Sequence, residues 1–194
     1  MITLNKPLVL ASNSPRRRQL LSEAGFTFRT EVLPTDEHFP GSLPPGDVAA
    51  YIAARKAEAF RGLYPEALIL TADTVVLADS HVLGKPADEA DAARMLGMLS
   101  GSRHEVVTAV SLLAGDRIET VSDVAAVFFR ELSDAEISYY IERYKPFDKA
   151  GSYGIQEWIG MTGITRIEGS FYTIMGLPVH TVYQMLKPYF SAPA

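Results

Sequence analysis

The chain contains no cysteine, which excludes a disulfide framework, a thiolate nucleophile and a cysteine-ligated zinc site, and fits the cytoplasm. Histidine is nearly as scarce. His38, His81, His104 and His180 stand without metal-ligand spacing, so a histidine mechanism is not expected. No apolar run approaches the ~20 residues of a membrane span. Met1 to Pro7 do not read as a signal or transit peptide, so neither membrane insertion nor export is expected. Basic residues are also in deficit, 18 against 23 acidic, for a formal net charge of -5. That argues against a nucleic-acid partner, while one small polyanion can still be held by a local cluster of cations.

What is present reads as an ordinary soluble domain: 194 residues, 47% hydrophobic and 21% charged, enough to bury a sizeable core. No internal repeat, linker or low-complexity segment interrupts it, so residues 1–194 are expected to form a single α/β domain with a mixed sheet. Pro7 to Ala11 predicts a strand, and Ser14 an N-cap with Pro15 at the first helical position and Gly25 at the stop. Thr27 to Leu33 predicts a second strand, Pro34 to Pro45 an irregular stretch, and Asp47 to about Phe60 a helix. Leu68 to Leu77 predicts a strand that turns back through His81 to Leu83, then a helix from about Asp88 to Leu99. Two longer strands, His104–Leu113 and Arg117–Phe129, flank Gly115-Asp116, and Ser133 to Glu136 is a capping box opening a helix that stops before Pro146. Gly163 to Glu168, a Gly169-Ser170 turn, Phe171 to Ile174 and a last helix from near Pro178 to Tyr189 complete the chain.

Asp73 is the first catalytic candidate, because it interrupts the apolar run Ala67 to Leu77 near its middle, where a buried strand should be most apolar. An ionised carboxylate there costs several kcal/mol, order of magnitude, unless a metal, a cation or dense hydrogen bonding holds it. The alternative is a strand ending at Ala72, with Asp73 in a solvated bend. Lys56 falls on the stripe Val48, Ile52, Lys56, Phe60, and so faces the core or snorkels from its edge. Ser12, Asn13 and Ser14 bring hydroxyls, an amide and backbone N–H groups to the positive end of the first helix, with Arg16, Arg17 and Arg18 in its first turn. The helix dipole repels cations there unless an anion is present, so the cluster reads as a phosphate site or as a merely solvated turn. Lys85, in the rigid turn Gly84-Lys85-Pro86, is a further cation or a solvated loop lysine. Asp36 and Glu37 read as a surface pair by default. With Asp73, they also make the oxygen-rich set that Mg²⁺ or Mn²⁺ prefers, one or two carboxylates plus substrate phosphates.

Four segments in order carry a resemblance: Ala11-Ser12-Asn13-Ser14-Pro15-Arg16-Arg17, Ala72-Asp73-Thr74, Gly84-Lys85-Pro86, and Asp148-Lys149-Ala150-Gly151-Ser152-Tyr153-Gly154-Ile155-Gln156. From Leu8 to Leu186, the chain resembles the Maf family of nucleoside triphosphate pyrophosphatases. The resemblance implies an elongated mixed sheet in a two-lobed fold like that of the inosine triphosphatases, with a central nucleotide cleft. It implies hydrolysis between the α- and β-phosphates with a divalent cation, Mg²⁺ or Mn²⁺. Asp73 then matches the general base beside the metal, Glu37 a second metal-side carboxylate, and Ser12, Arg17, Lys56 and Lys85 the groups that hold the triphosphate. Arg16, Thr74 and Gln156 match positions that set base preference.

Arginine after Ser14-Pro15, together with Tyr153 to Gln156, is similar to the branch acting on dTTP and UTP. The branch with tryptophan there acts on 7-methyl-GTP. The segment Glu157 to Thr162 departs from that branch in being bulkier than its glycine-rich stretch. A glutamine can donate to a base carbonyl and accept from N3–H of uracil or thymine, although without the resemblance Gln156 reads as a solvated strand end. The expected partner is a small-molecule nucleoside triphosphate, with the oligomeric state open between monomer and homodimer. The opposing class is a nucleotide-binding regulator of septum formation and cell division.

Overall fold

The strands form where apolar and β-branched residues run together: β1 (Leu8–Leu10), β2 (Arg29–Thr30), β3 (Leu68–Ala78), β4 (His81–Leu83), β5 (Arg103–Ala114), β6 (Arg117–Phe129) and β7 (Ile164–Glu168). This computed structural model describes residues 2–79 and 81–191. The strands pair in the order β2-β1-β3-β5-β6-β7, with β4 on β3, in one mixed sheet. β1 is parallel to both β2 and β3, whereas β4 pairs antiparallel with β3 and β7 antiparallel with β6. Helices α1 (Pro15–Glu23), α2 (Val48–Glu58), α3 (Glu89–Leu99), α4 (Asp134–Tyr144), α5 (Trp158–Gly163), α6 (Phe171–Met175) and α7 (Val179–Leu186) intervene. No helix among the described residues is long and apolar enough to cross a membrane.

Local signals account for the N-termini of α1, α3 and α4 and for the end of α1. The Ser14 side chain accepts from the Arg17 N–H, with Pro15 following, and Gly25 takes the left-handed φ of 86° that lets the chain leave α1. Ser133 and Glu136 form the reciprocal capping box of α4, and Asp88 caps α3. The second strand is shorter than its pattern predicts, Arg29–Thr30 instead of Thr27–Leu33. Among the described residues its only ladder partner is the three-residue β1, which ends at Leu10, so residues beyond Thr30 find no partner row. Phe171–Met175 closes into one helical turn, and Trp158–Gly163 forms a short helix that no pattern announced.

By contacts the chain divides into two compact units, residues 1–73, 108–123 and 176–194 in the first and residues 74–107 and 124–175 in the second. The first unit buries Val9, Ala57, Phe60, Ile69 and Leu113 as a cluster. The second buries a larger one that includes Val76, Leu96, Val106, Phe129, Tyr140 and Ile159. At ~25 cal/mol per Å² of apolar surface, each such Leu, Ile or Phe side chain stabilises by about 1.5–3 kcal/mol relative to exposure.

Candidate active site

The site in the first unit is built where β1 stops and β3 does not. Their parallel pairing ends at Leu10 with Leu70, and the Ala11 N–H donates to the Leu70 carbonyl at 2.8 Å. Beyond that point β1 turns into the loop Ser12–Ser14, while β3 continues through Ala72 and Asp73 to Ala78. Two residues on from Leu70, the Ala72 carbonyl points to the same side of the strand, and Arg17 Nη1 donates to it at 3.0 Å in place of the missing strand. Arg17 Nε also donates to the Gly176 carbonyl at 2.7 Å, and Nη1 lies 3.4 Å from Ser12 Oγ. Burial lowers the Arg17 pKa, the charges of Asp73 and Glu37 oppose that, and Arg16 adds to it. A guanidinium stays charged regardless. Arg17 is therefore a fixed cation whose head is tied to the backbone, with Ser12 buried beside it.

β3 is continuous through Asp73, which excludes the solvated bend: the residue is 9% exposed. Its face of the strand is set by Thr71, whose Oγ1 donates to the Ala53 carbonyl of α2 at 2.7 Å. Moving three residues along the helix (about 4.5 Å) and two residues along the strand (about 6.6 Å) brings Lys56 opposite Asp73. Lys56 Nζ lies 2.8 Å from Asp73 Oδ1 and 2.7 Å from Glu37 Oε1. The neighbours of Lys56 on its stripe, Val48, Ile52 and Phe60, are buried, so this lysine turns inward to carboxylates and does not snorkel. Asp36 does not join the group. Its carboxylate accepts from the His38 backbone N–H at 3.0 Å and pairs with the His38 ring, hydrogen bonds that lower its pKa, and the Arg55 charge 3.8 Å away acts in the same direction. The two adjacent carboxylates thus take different partners, His38 and Arg55 for Asp36 and Lys56 for Glu37.

Glu37 and Asp73 place two carboxylate oxygens around a single point, where the ammonium of Lys56 now sits. Hard oxygen donors in that number fit Mg²⁺ or Mn²⁺, which take one or two carboxylates and complete their shell with phosphate oxygens and water. No group of three or more His, Cys, Asp or Glu side chains that could hold a metal occurs among the described residues. Arg16 is half-buried and Arg18 exposed. An open depression lined by Asn13, Thr30, Glu31, Val32 and Pro34 lies beside the loop.

The remaining sequence candidates belong to the second unit. Thr74 follows Asp73 on β3 and is half-buried. Lys85 is exposed, in a turn fixed by the Gly84 carbonyl accepting from the Gly151 N–H at 3.0 Å and by buried Pro86. Gln156 is exposed on a turn closed by the Glu157 N–H donating to the Gly154 carbonyl at 3.0 Å. Beneath that turn lies a polar network that the sequence reading missed: buried Tyr140 on α4, Lys149 and Glu157. Lys149 stood within the motif residues, but nothing in the pattern linked it to a tyrosine nine positions upstream.

A protein of Porphyromonas gingivalis named dTTP/UTP pyrophosphatase is 50% identical over 186 residues, covering 94% of each chain. One of Phocaeicola vulgatus with the same name is 50% identical over 182 residues, 93% of this chain and 94% of that one. A third, from Cytophaga hutchinsonii, is 44% identical over 187 residues, 96% and 86%. Among solved structures, the Ham1 protein of Staphylococcus aureus is similar with a TM-score of 0.49 and 14% identity, over 64% of this chain and 72% of that one. The family model described as Maf-like protein matches residues 7–189. With that match and relatives at half identity over nearly its whole length, the chain belongs to the Maf-like protein family.

Proposed function

We propose that this protein is a nucleoside triphosphate pyrophosphatase that hydrolyses dTTP and UTP to the monophosphate and pyrophosphate. The observation that carries the reading is Asp73, a carboxylate in a continuous buried strand, facing Lys56 and Glu37 with Ser12 and Arg17 alongside. Relatives at 50% identity named for this activity support it.

In this reading Asp73 accepts a proton from the attacking water as the bond between the α- and β-phosphates breaks. Ser12 and Arg17 hold the triphosphate, with the Arg17 charge pre-oriented by the Gly176 and Ala72 carbonyls, so little reorganisation accompanies the reaction. Lys56 exchanges its carboxylate contacts for phosphate oxygens, and Lys85 adds a second ammonium. A divalent cation, Mg²⁺ or Mn²⁺, would be held by Asp73 and Glu37 and would neutralise charge on the phosphates. Gln156 reads the uracil or thymine edge, and Arg16 and Thr74 are further specificity residues. The substrate is a free nucleotide, and the cysteine-free, acidic chain suits a cytoplasmic enzyme.

Purified protein assayed for pyrophosphate release from dTTP, UTP, CTP and 7-methyl-GTP with each metal tests the proposal. Turnover of dTTP and UTP is expected to lead, and Asp73→Asn to remove most of it while nucleotide binding persists. Binding without turnover by the wild-type chain would instead support the regulator. Wild-type-like hydrolysis by Asp73→Asn would remove the base role from that residue.

A further inference from the structure

The turn that carries Gln156 is held by groups with no part in phosphate chemistry. Tyr140, fully buried on α4, accepts at its hydroxyl from the Gly154 N–H at 3.0 Å and donates to the Glu157 carboxylate. One phenol thus grips both ends of the four-residue turn Gly154–Glu157. The other Glu157 oxygen lies 3.1 Å from Nζ of Lys149, a side chain only 8% exposed that also pairs with Asp148 at 2.7 Å. Burial and the Glu157 contact raise the Tyr140 pKa, which keeps the hydroxyl a donor at physiological pH.

Glycines close the arrangement. A Cβ on Gly154 would fall 2.8 Å from Glu157 Cδ and 3.1 Å from Gln156 Nε2, and one on Gly160 would fall 1.9 Å from the Ile155 carbonyl oxygen. The Gln156 amide therefore folds against a bare backbone, over a turn whose base is clamped, while its own side chain stays exposed.

We propose that Tyr140, Glu157 and Lys149 are positioning residues for base selection, clamping the Gly154–Glu157 turn so that Gln156 presents its amide to a pyrimidine in one orientation. This rests on the base-reading role of Gln156. Glutamine can offer either donor or acceptor; a loose turn would let it satisfy cytosine as readily as uracil or thymine. A clamped one favours a single edge.

The test compares kcat/KM for dTTP, UTP and CTP in wild type, Tyr140→Phe, Glu157→Gln, Gln156→Ala and the double variant Tyr140→Phe/Gln156→Ala, with thermal midpoints for each. Tyr140→Phe removes one oxygen from a buried ring and is expected to lower the dTTP-over-CTP ratio about tenfold. The change should appear mainly in KM, with kcat for dTTP within about twofold of wild type. Glu157→Gln, of the same shape, should move the ratio in the same direction and carries the comparison if Tyr140→Phe fails to fold. Adding Tyr140→Phe to Gln156→Ala should cost no further selectivity, because the tyrosine acts through the glutamine. Equal loss for all three nucleotides, or an additive loss of selectivity in the double variant, overturns the proposal in favour of a structural role. If Gln156→Ala lowers the ratio and neither network variant does, the clamp alone falls. If Gln156→Ala leaves the ratio intact, base reading by Gln156 falls, and the clamp with it.

Discussion

Removing the ammonium of Lys56 while keeping its apolar stem, as in Lys56→Met, isolates the most consequential contact of the site. The side chains of Lys56 and Asp73 are 18% and 12% exposed and meet at 2.8 Å, so the pair is largely out of water. Breaking one partner of a buried pair costs about 3–5 kcal/mol, because the surviving charge is left uncompensated. Glu37, 52% exposed at its own 2.7 Å contact, adds only a few tenths of a kcal/mol. The charge of Arg17 partly compensates Asp73, which places the expected loss near the lower bound, about 3 kcal/mol. In a chain of this size that corresponds to a fall of roughly 6–12 °C in thermal midpoint. Activity should fall further, by about 10²–10³, through the lost charge on the triphosphate. The diagnostic is the double variant Lys56→Met/Asp73→Asn. With the orphaned carboxylate gone it should recover all but about 1–2 kcal/mol of the loss. Urea unfolding at neutral pH measures both variants and the wild type, and a Lys56→Met protein within 1 kcal/mol of wild type, by the accuracy of extrapolation, would refute the assignment of Lys56 as the counter-ion of Asp73.

Lys85→Met provides the contrast: exposed on its turn, it should leave stability within about 0.5 kcal/mol while raising KM for dTTP, checked by parallel unfolding and kinetics. Gly151 has φ 66°, and a Cβ there would lie 2.8 Å from Val76 Cγ2, so Gly151→Ala should cost about 2–4 kcal/mol in denaturant midpoint measurements. Buried His104, its Nε2 2.8 Å from the Tyr153 hydroxyl, has its pKa lowered from 6.5 to about 4, chiefly by burial and secondarily by Arg103. The unfolded chain takes up that proton first, so the native state should lose about 3 kcal/mol from this group as pH falls from 6.5 toward 4. His104→Gln, which keeps a hydrogen-bonding partner for Tyr153, should flatten stability over that window; an unchanged slope would remove His104 as the source. Gln156→Glu places a second acceptor against a base carbonyl and should shrink or reverse the preference for dTTP and UTP over CTP, by about 1–3 kcal/mol in relative kcat/KM.

Where information is local, the residue order alone was enough to read it. Ser14-Pro15 and the Ser133 to Glu136 box each satisfy their own helix N-terminus within a few residues, so α1 and α4 were legible without any partner. The strand around Asp73 was legible for the same reason, and so was the problem it posed, since a carboxylate amid β-branched residues demands a counter-charge wherever the chain folds. Four-residue spacing put Lys56 on the inward face of its helix, yet both burial and snorkelling were consistent with that spacing. Only the crossing of α2 over β3 at Ala53 and Thr71 decided it.

The length of β2 was likewise not its own: a strand extends only as far as its neighbour, and β1 ends at Leu10. Asp36 and Glu37 are adjacent in the chain, but a ring and a backbone N–H of His38 took the first while Lys56 took the second. Arg17 looked like a simple phosphate cation until Gly176, 159 residues away, supplied the carbonyl that orients it. Tyr140 and Glu157 came together in the same way, 17 residues apart with a loop between. Such contacts join groups whose periodicities are independent, so no pattern along one segment encodes them. They exist because buried donors and acceptors must find partners when the elements pack.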